Sequence, residues 1–240
     1  MKCLILAAGY ATRLYPLTKN YPKSLLEVGG MSILDRLMED LREDCDGFIL
    51  VSNHRFFPIF QQWAAEREKI SVLDDGTISN ETRLGAVRDI EYALKEYPFE
   101  EDVLVMAGDN LLDFSLIGFL DFAREKGTSC VMCHRETDLS ALRKTAVITV
   151  DEDSRITSYE EKPQEPKGEL AVPPFYYYKA EDIRRVSEAL KEGCGHDAPG
   201  SFAAWLSKRT PMHAYVMPGR RYDIGDLESY EKACRIFAEK

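Results

Sequence analysis

The sequence lacks the features of several protein classes. No apolar run in its 240 residues is long enough to span a bilayer, and no signal peptide is recognisable. Cations are not in excess, because 31 Lys and Arg face 41 Asp and Glu, for a net charge of -10. Nucleic acids and anionic membranes are bound by clustered cations, so neither is an expected partner. Internal repeats, low-complexity tracts and linkers are also missing.

Cysteine is present, but without the pattern of a disulfide framework or a complete metal site. The six cysteines are irregularly spaced. Cys130-x-x-Cys133 resembles half a metal site, yet a second pair of ligands at comparable spacing is missing. Segment 129–133, SCVMC, is typical of a buried strand, so core cysteines are favoured over a metal site. We therefore expect a reduced, cytoplasmic protein.

Two standard phosphate-binding motifs, G-x-x-x-x-G-K-[ST] and G-x-G-x-x-G, do not occur. A different anion-binding pattern opens the chain. A buried strand over residues 3–8 meets Gly9, and the loop that follows carries three cations, among them Arg13 and Lys23, with no acid before Glu27. Small residues let backbone N–H groups approach an anion, and positive side chains neutralise a polyphosphate. The alternative is an ordinary surface loop with solvated cations.

Hydrophobic periodicity alternates strands and helices through the first half, which is typical of a doubly wound α/β fold. Ser32 caps a predicted helix to Leu41, and the stretch 79–94 begins with cap-like residues before an amphipathic helix. Helices are also expected over 180–191 and 201–208, and the short strands of the second half would extend the sheet. We predict a predominantly parallel mixed sheet in one domain, 1–240, with a nucleotide-binding half at about 1–112 and an acceptor-binding half at about 113–240.

Acidic residues beside glycines are the candidate metal ligands. Asp109 follows the apolar strand 103–107 and Gly108, and Asp223 lies two residues before Gly225. An acid at the end of a buried strand can hold a divalent cation against phosphate oxygens. An aspartate in a turn is the alternative. The segment EEKP at 160–163 would by itself be an exposed turn.

Taken together, these motifs resemble the signature of the sugar-1-phosphate nucleotidyltransferases, including glucose-1-phosphate thymidylyl- and uridylyltransferases. The resemblance covers LAAGYATRLYPLT at 6–18, GDN at 108–110, EEKPxxPKxxxAV at 160–172 and YDIG at 222–225. It implies the α/β fold of that family, a Mg²⁺ cofactor, and the following residue roles. The catalytic residues would be Arg13, Lys23, Asp109 and Lys162; the nucleotide-binding residues Leu6, Ala7, Ala8, Gly9, Thr12, Asn80, Leu84, Gly85 and Gly108; the acceptor-binding residues Asn110, Ala146, Glu161, Lys162 and Pro174; and the metal ligands Asp109 and Asp223.

The implied activity joins an NTP, with dTTP or UTP favoured, to a sugar 1-phosphate. Two departures from the family pattern bear on the substrates. The usual glutamine before Leu84-Gly85 is absent, with Asn80 or Glu81 nearest in position. Pro173-Pro174-Phe175 stands where a small residue and glycine are usual. A phosphocholine-type cytidylyltransferase, with Tyr176, Tyr177 and Tyr178 around a quaternary ammonium, is one alternative. A nucleotide-sugar-binding protein without catalysis is another, and the oligomeric state stays open.

Overall fold

The computed structural model describes residues 1–238 and has an α/β architecture. The strands are β1 (Lys2–Leu6), β2 (Glu27–Val28), β3 (Met31–Ser32), β4 (Gly47–Ser52), β5 (Ile70–Asp74), β6 (Val103–Ala107), β7 (Asn110–Leu112), β8 (Ser129–Arg135), β9 (Ala146–Val150), β10 (Ile156–Glu161), β11 (Leu170–Val172), β12 (Phe175–Tyr178), β13 (Met212–Val216) and β14 (Arg221–Asp223). The helices are α1 (Ile33–Leu41), α2 (Phe57–Ala65), α3 (Ala86–Glu96), α4 (Ile117–Lys126), α5 (Leu139–Leu142), α6 (Ala180–Ile183), α7 (Val186–Lys191), α8 (Gly200–Leu206) and α9 (Leu227–Phe237). Within residues 1–238, no helix is long and apolar enough to cross a membrane.

The chain packs into two compact units, and each combines segments that are distant in the sequence. The first unit contains Met1–Lys2, Leu84–Met106 and Gly118–Pro218. The second unit contains Cys3–Arg83, Ala107–Ile117 and Gly219–Lys240.

The second unit is built on the neighbouring strands β1, β4 and β5. β4 is buried along its whole length and pairs with β5 in parallel, so that Leu50 lies opposite Val72. A buried apolar cluster, which includes Leu14, Leu111 and Ile224, also packs against α9. This cluster supports the antiparallel ladder of β7 and β14, in which Asn110 lies opposite Asp223. Each Å² of apolar surface that the cluster removes from water contributes about 25 cal/mol to the stability of the fold around the ladder.

The first unit carries the strand order β10-β9-β11-β8-β12-β6. Each neighbouring pair in this order is antiparallel, and β13 pairs with β8 in parallel. β9 and β10 place Ala146 opposite Glu161, and β11 places Val172 opposite Ala146. These pairings bring residues from three separate sequence segments to one end of the sheet.

The predicted α/β class with a mixed sheet is confirmed, and so is the apolar stripe of α1. Ser32 caps this helix by accepting a hydrogen bond from the Asp35 backbone N–H at 3.0 Å. Two predicted helices differ in their limits. The amphipathic helix α3 begins at Ala86, because Gly85 has a φ of 92° that an α-helix does not allow. The predicted helix over 180–191 is divided into α6 and α7.

Candidate functional site

The predicted phosphate lysine and the predicted metal carboxylate meet in the second unit. Lys23 begins a short 3-10 turn after Pro22, and its Nζ lies 2.7 Å from Asp109 Oδ2. Only 13% of the Lys23 side chain is exposed, against 37% for Asp109. Gly108, which precedes Asp109, packs closely against β1 and Ser24, since a Cβ there would lie 3.1 Å from the Ile5 side chain and 3.4 Å from that of Ser24. Partial burial strengthens this charge pair relative to an exposed one.

A chain of polar contacts continues from Asp109 to Asp223. Asn110 is buried; its Nδ2 donates to Asp109 Oδ1 at 2.8 Å, and its Oδ1 accepts from Arg221 at 2.6 Å. Arg221 in turn lies 3.8 Å from Asp223 Oδ2. Sequence reasoning assigned no role to Arg221, although residues two apart on a strand share one face. Asn110 therefore links two charged pairs, and its predicted contact with the acceptor stays a prediction.

Arg13 is exposed on the loop that follows β1. It lies in a 3-10 turn, Thr12–Leu14, which begins at Ala11 in the left-handed conformation with a φ of 47°. The Thr18 hydroxyl holds this turn by donating to the Ala11 carbonyl at 2.8 Å. Hydrogen bonds from Ser229 lower the pKa of Asp226, and the charges of Arg13 and Lys23 lower it further. The two predicted catalytic cations thus act on the same part of the second unit.

The predicted nucleotide-binding turn at 6–9 is anchored by backbone contacts. The Ala7 N–H donates to Val51 at 2.9 Å, and the Gly108 N–H donates to Leu6 at 3.2 Å. Buried Asn53 donates through Nδ2 to the Ala8 carbonyl at 3.0 Å. Sequence reasoning missed Asn53; a polar residue directly after the apolar strand β4 was the available signal. Gly9 and Thr12 are exposed beyond these anchors, while Asn80 is half-buried in a separate 3-10 turn.

Leu84 and Gly85 lie in the first unit, where a close backbone approach explains the glycine. A Cβ on Gly85 would lie 2.6 Å from the His196 carbonyl oxygen. The N–H groups of Ala86 and Val87 donate to the carbonyls of Asp197 and His196, at 3.1 and 2.9 Å. These first donors of α3 are therefore already bonded within the protein.

The predicted acceptor residues of the first unit cluster at the ends of β9, β10 and β11. Glu161 lies opposite buried Ala146, and the Lys162 backbone N–H donates to the Thr145 carbonyl at 3.1 Å. The Lys162 side chain is exposed, and its φ of 49° is unusual for a residue other than glycine. Burial raises the pKa of the Glu161 carboxyl, which the neighbouring Lys162 charge partly offsets. Pro174 is half-buried two residues beyond β11.

Residues 2–240 match the family model described as Nucleotidyl transferase. The chain belongs to the nucleotidyl transferase family. This match confirms the family that the sequence motifs indicated.

The relatives of this nucleotidyl transferase chain act on different nucleotides, as their names state. The UTP–glucose-1-phosphate uridylyltransferase of Synechocystis is 24% identical over 98% of the chain and 63% of its own length. The glucose-1-phosphate adenylyltransferase of Clostridium acetobutylicum is 25% identical over 96% of the chain and 65% of its own length. The chain thus spans less than two thirds of each of these two relatives. The uridylyltransferase AglF of Haloferax volcanii is 26% identical, and the match covers 97% of the chain and 95% of AglF.

Solved structures share the fold. UDP-glucose pyrophosphorylase in complex with UDP-glucose superposes with a TM-score of 0.82 at 23% identity, covering 99% of this chain and 98% of that one. The apo form of a UDP-glucose pyrophosphorylase gives a TM-score of 0.83 at 22% identity, with the same coverage.

The donor set of this nucleotidyl transferase chain fits Mg²⁺ at Asp109 and Asp223. Asn110, the neighbour of Asp109, faces Asp223 across the ladder, and the Ile224 N–H approaches the Asp109 carbonyl at 3.5 Å. Among residues 1–238 no cluster of three or more His, Cys, Asp and Glu side chains is arranged to hold a metal. Two carboxylates suffice for Mg²⁺, which usually keeps several waters and takes its remaining ligands from substrate phosphates.

The three consecutive tyrosines of β12 are core residues. Tyr176, Tyr177 and Tyr178 are at most 4% exposed, and Tyr176 stacks on Tyr178 with ring centroids 5.9 Å apart. The Tyr177 hydroxyl donates to Asp102 at 2.7 Å. Their expected role around a quaternary ammonium is therefore wrong for this conformation, although the phosphocholine alternative itself stays open.

Cys130 and Cys133 lie fully buried on β8, as the strand prediction for this segment required. Burial raises the pKa of the Cys130 thiol to about 11 and that of Cys133 to about 12. Both thiols are consequently protonated at neutral pH.

Proposed function

We propose that this chain joins an NTP to a sugar 1-phosphate, with dTTP or UTP favoured, and releases pyrophosphate. A phosphate oxygen of the acceptor attacks the α-phosphorus in line and forms one new P–O bond. The bond from the α-phosphorus to the bridging oxygen breaks, and its electron pair leaves with pyrophosphate. The product is a nucleotide-diphospho-sugar, and no covalent intermediate with the protein is needed.

The observation that carries this proposal is the placement of Lys23, Asp109 and Asp223. Lys23 lies 2.7 Å from Asp109, and Arg221 approaches Asp223 at 3.8 Å, so cations and carboxylates alternate. Such a network is suited to a ligand that is itself anionic and arrives with a cation. A triphosphate would compete with Asp109 for Lys23, which frees the carboxylate for a cation.

Residues of the second unit, together with Leu84 and Gly85 of the first, would bind the nucleotide, and those around Glu161, together with Asn110, the acceptor. Arg13 would hold the leaving pyrophosphate, since its planar guanidinium can form two parallel hydrogen bonds to phosphate. Lys23 would hold the reacting phosphates as a point charge. Glu161 would accept hydrogen bonds from sugar hydroxyls, and Lys162 would bind the acceptor phosphate. This assignment places the nucleotide mainly on residues of about 1–112 and the acceptor on about 113–240.

Asp109 and Asp223 would hold Mg²⁺. Its charge would offset the negative charge that builds on the α-phosphate and the leaving pyrophosphate. We also expect the protein in the cytoplasm, and as an enzyme that binds no nucleic acid.

A substrate matrix tests the proposal. Purified protein with Mg²⁺ would be incubated with each of dTTP, UTP, CTP, ATP and GTP against a panel of sugar 1-phosphates and phosphocholine, and pyrophosphate release measured. We expect turnover with a sugar 1-phosphate and dTTP or UTP. The Lys23→Ala variant serves as the inactive control for contaminating activity.

Other outcomes of the matrix decide against specific parts of the proposal. Turnover with CTP and phosphocholine alone would replace the sugar acceptor by choline phosphate. Tight nucleotide-sugar binding without pyrophosphate release in any pairing would favour a non-catalytic binding protein.

A further inference from the structure

Among residues 1–238, the carboxylate of Glu161 has no hydrogen-bond or ion-pair partner. Glu161 ends β10 and is half-buried, and it forms no hydrogen bond or ion pair with another residue in the part of the chain that the structure describes. It lines a pocket of about 390 Å³ together with Cys194, Ser201, Ala204 and Trp205. A partly desolvated carboxylate without donors is costly, so a ligand that supplies donors would be stabilised there.

Gly200 determines where this carboxylate lies. Gly200 is buried at the start of α8, and a Cβ built on it would overlap a Glu161 carboxylate oxygen and lie 3.1 Å from the Tyr159 hydroxyl. Its φ is not in the left-handed region. An alanine at this position would therefore displace the flexible end of the Glu161 side chain and would not strain the backbone.

The loop that leads to Gly200 is bonded to the start of α3. The carbonyls of His196 and Asp197 accept the first two N–H donors of that helix, at 2.9 and 3.1 Å. We call residues 195–200 the bridging loop. It connects Leu84 and Gly85, which are predicted to bind the nucleotide, with the wall of the Glu161 pocket.

The remaining walls of the pocket carry charges of both signs, and the aromatic ring among them is already engaged. The pocket is also lined by Glu192, Lys208 and Arg209. Glu192 is paired with Arg209 and accepts a hydrogen bond from the Trp205 indole at 2.9 Å. The Trp205 ring carries the guanidinium groups of Arg185 and Arg209, centred 4.9 and 4.1 Å from the ring centroid. A quaternary ammonium would find this ring occupied, whereas uncharged hydroxyl groups can donate to the Glu161 carboxylate.

We propose that Gly200 is a positioning residue: its lack of a side chain leaves the space at the pocket wall that the Glu161 carboxylate occupies, where it accepts hydrogen bonds from the uncharged, hydroxyl-bearing part of the acceptor. This inference rests on the proposed function and extends it by the residue that makes acceptor recognition depend on the bridging loop. Gly200 itself touches no substrate and acts through Glu161.

The test compares Gly200→Ala with Gly118→Ala, a glycine of α4 in the same unit that does not line the pocket. A Cβ on Gly118 would meet mainly the Tyr215 hydroxyl, at 2.8 Å. We expect Gly200→Ala to raise the KM of the acceptor at least tenfold, while kcat and the KM of the NTP stay within twofold of wild type. Gly118→Ala should match wild type in all three constants.

A second substitution separates positioning from a general structural defect. In the Gly200→Ala background, Glu161→Asp shortens the side chain by one methylene and relieves the overlap. The KM of the acceptor should be at least threefold lower in the double variant than in Gly200→Ala. If Gly200→Ala does not fold, the double variant should; failure of both to fold overturns the inference. It is equally overturned if Gly200→Ala leaves the KM of the acceptor within twofold, or if Glu161→Asp restores nothing.

A readout without turnover distinguishes this inference from the proposed function. If no substrate pair reacts with the wild type, the proposed function fails, but NMR titration of ¹³C-labelled glutamate still tests the positioning. We expect the raised titration point of Glu161 to fall toward the ordinary glutamate range in Gly200→Ala and to stay unchanged in Gly118→Ala. An unchanged Glu161 titration in Gly200→Ala would refute the positioning, whatever the reaction.

Discussion

At the scale of single residues, the site depends on charges that are partly removed from water. Lys23 is 13% exposed and lies against one carboxylate, so its position is set before any ligand binds. A preorganised charge of this kind stabilises a transition state without the cost of reorienting solvent. Lys19 is an exposed cation of the same loop to which no catalytic role is assigned, so it is a suitable control.

Replacing Lys23 by alanine should therefore lower kcat by about 10²–10³, which corresponds to roughly 3–4 kcal/mol for one preorganised electrostatic group. Steady-state kinetics with saturating substrates measure this change. Lys19→Ala, on the exposed part of the loop, should stay within twofold. Equal losses in the two variants would show that loop charge in general, and not Lys23, supports turnover.

Replacing Asp223 by asparagine should raise the Mg²⁺ concentration for half-maximal turnover at least about tenfold, because one of two carboxylate ligands is lost. Asp226→Asn is the matched control. Asp226 is exposed and caps α9 by accepting a hydrogen bond from the Ser229 N–H at 2.9 Å, a role that asparagine also fills. A normal Mg²⁺ titration for Asp223→Asn would remove this residue from the metal site.

At the scale of elements, a charged contact joins α1 to α2 within the second unit. Asp35 of α1 accepts hydrogen bonds from Arg67 Nε at 2.7 Å and from the Trp63 indole at 3.2 Å. Desolvation would raise the pKa of Asp35, but the hydrogen bonds from Arg67, Ser32 and Trp63 outweigh it, so that the pKa is lowered. The ionised carboxylate thus contributes to stability.

The pH dependence of this contribution has a definite sign. Because the folded pKa of Asp35 lies below its unfolded value of about 3.9, the stabilisation is complete above that value and is lost as the pH falls through the folded pKa. Asp35→Asn should therefore lose about 1–3 kcal/mol of unfolding free energy at pH 7, and its difference from wild type should shrink below about pH 4. Urea denaturation at several pH values measures both effects.

Glu39→Gln is the control on the same helix, since its pairing with Arg42 is exposed. It should change the unfolding free energy by less than about 0.5 kcal/mol. A difference between wild type and Asp35→Asn that stays constant from pH 7 to pH 3 would contradict the assignment.

At the scale of the whole molecule, ligand binding should stabilise the fold by mass action. An NTP with Mg²⁺ at about 100 times its Kd adds about 2.7 kcal/mol, which raises the Tm of a chain of this size by roughly 5–10 °C. Differential scanning calorimetry would compare the Tm with dTTP, UTP, CTP and inorganic triphosphate, all at one concentration, so that the shift reports the affinity. We expect dTTP or UTP to give the largest shift. Equal shifts for all four would show that the base contributes nothing to binding.

The parts of the molecule that the sequence predicted are those governed by local rules. The apolar stripe of α1 and its Ser32 cap follow from helical spacing and from the need of the first N–H groups for acceptors. The position of Gly108 and Asp109 directly after β6 follows from an apolar run that ends at a glycine. The family followed from motifs that each occupy a few consecutive residues.

Tertiary structure decided which distant residues meet. The contact of Lys23 with Asp109 spans 86 positions, and that of Arg221 with Asn110 spans 111, so no local spacing reveals either. Gly85, which precedes α3, lies too close to the His196 backbone to carry a side chain. The tyrosines of β12 are buried in the core because other segments pack against them. The physical reason is that capping, periodicity and turn formation involve neighbours along the chain, whereas ion pairing and close packing depend on where the folded backbone brings separate segments together.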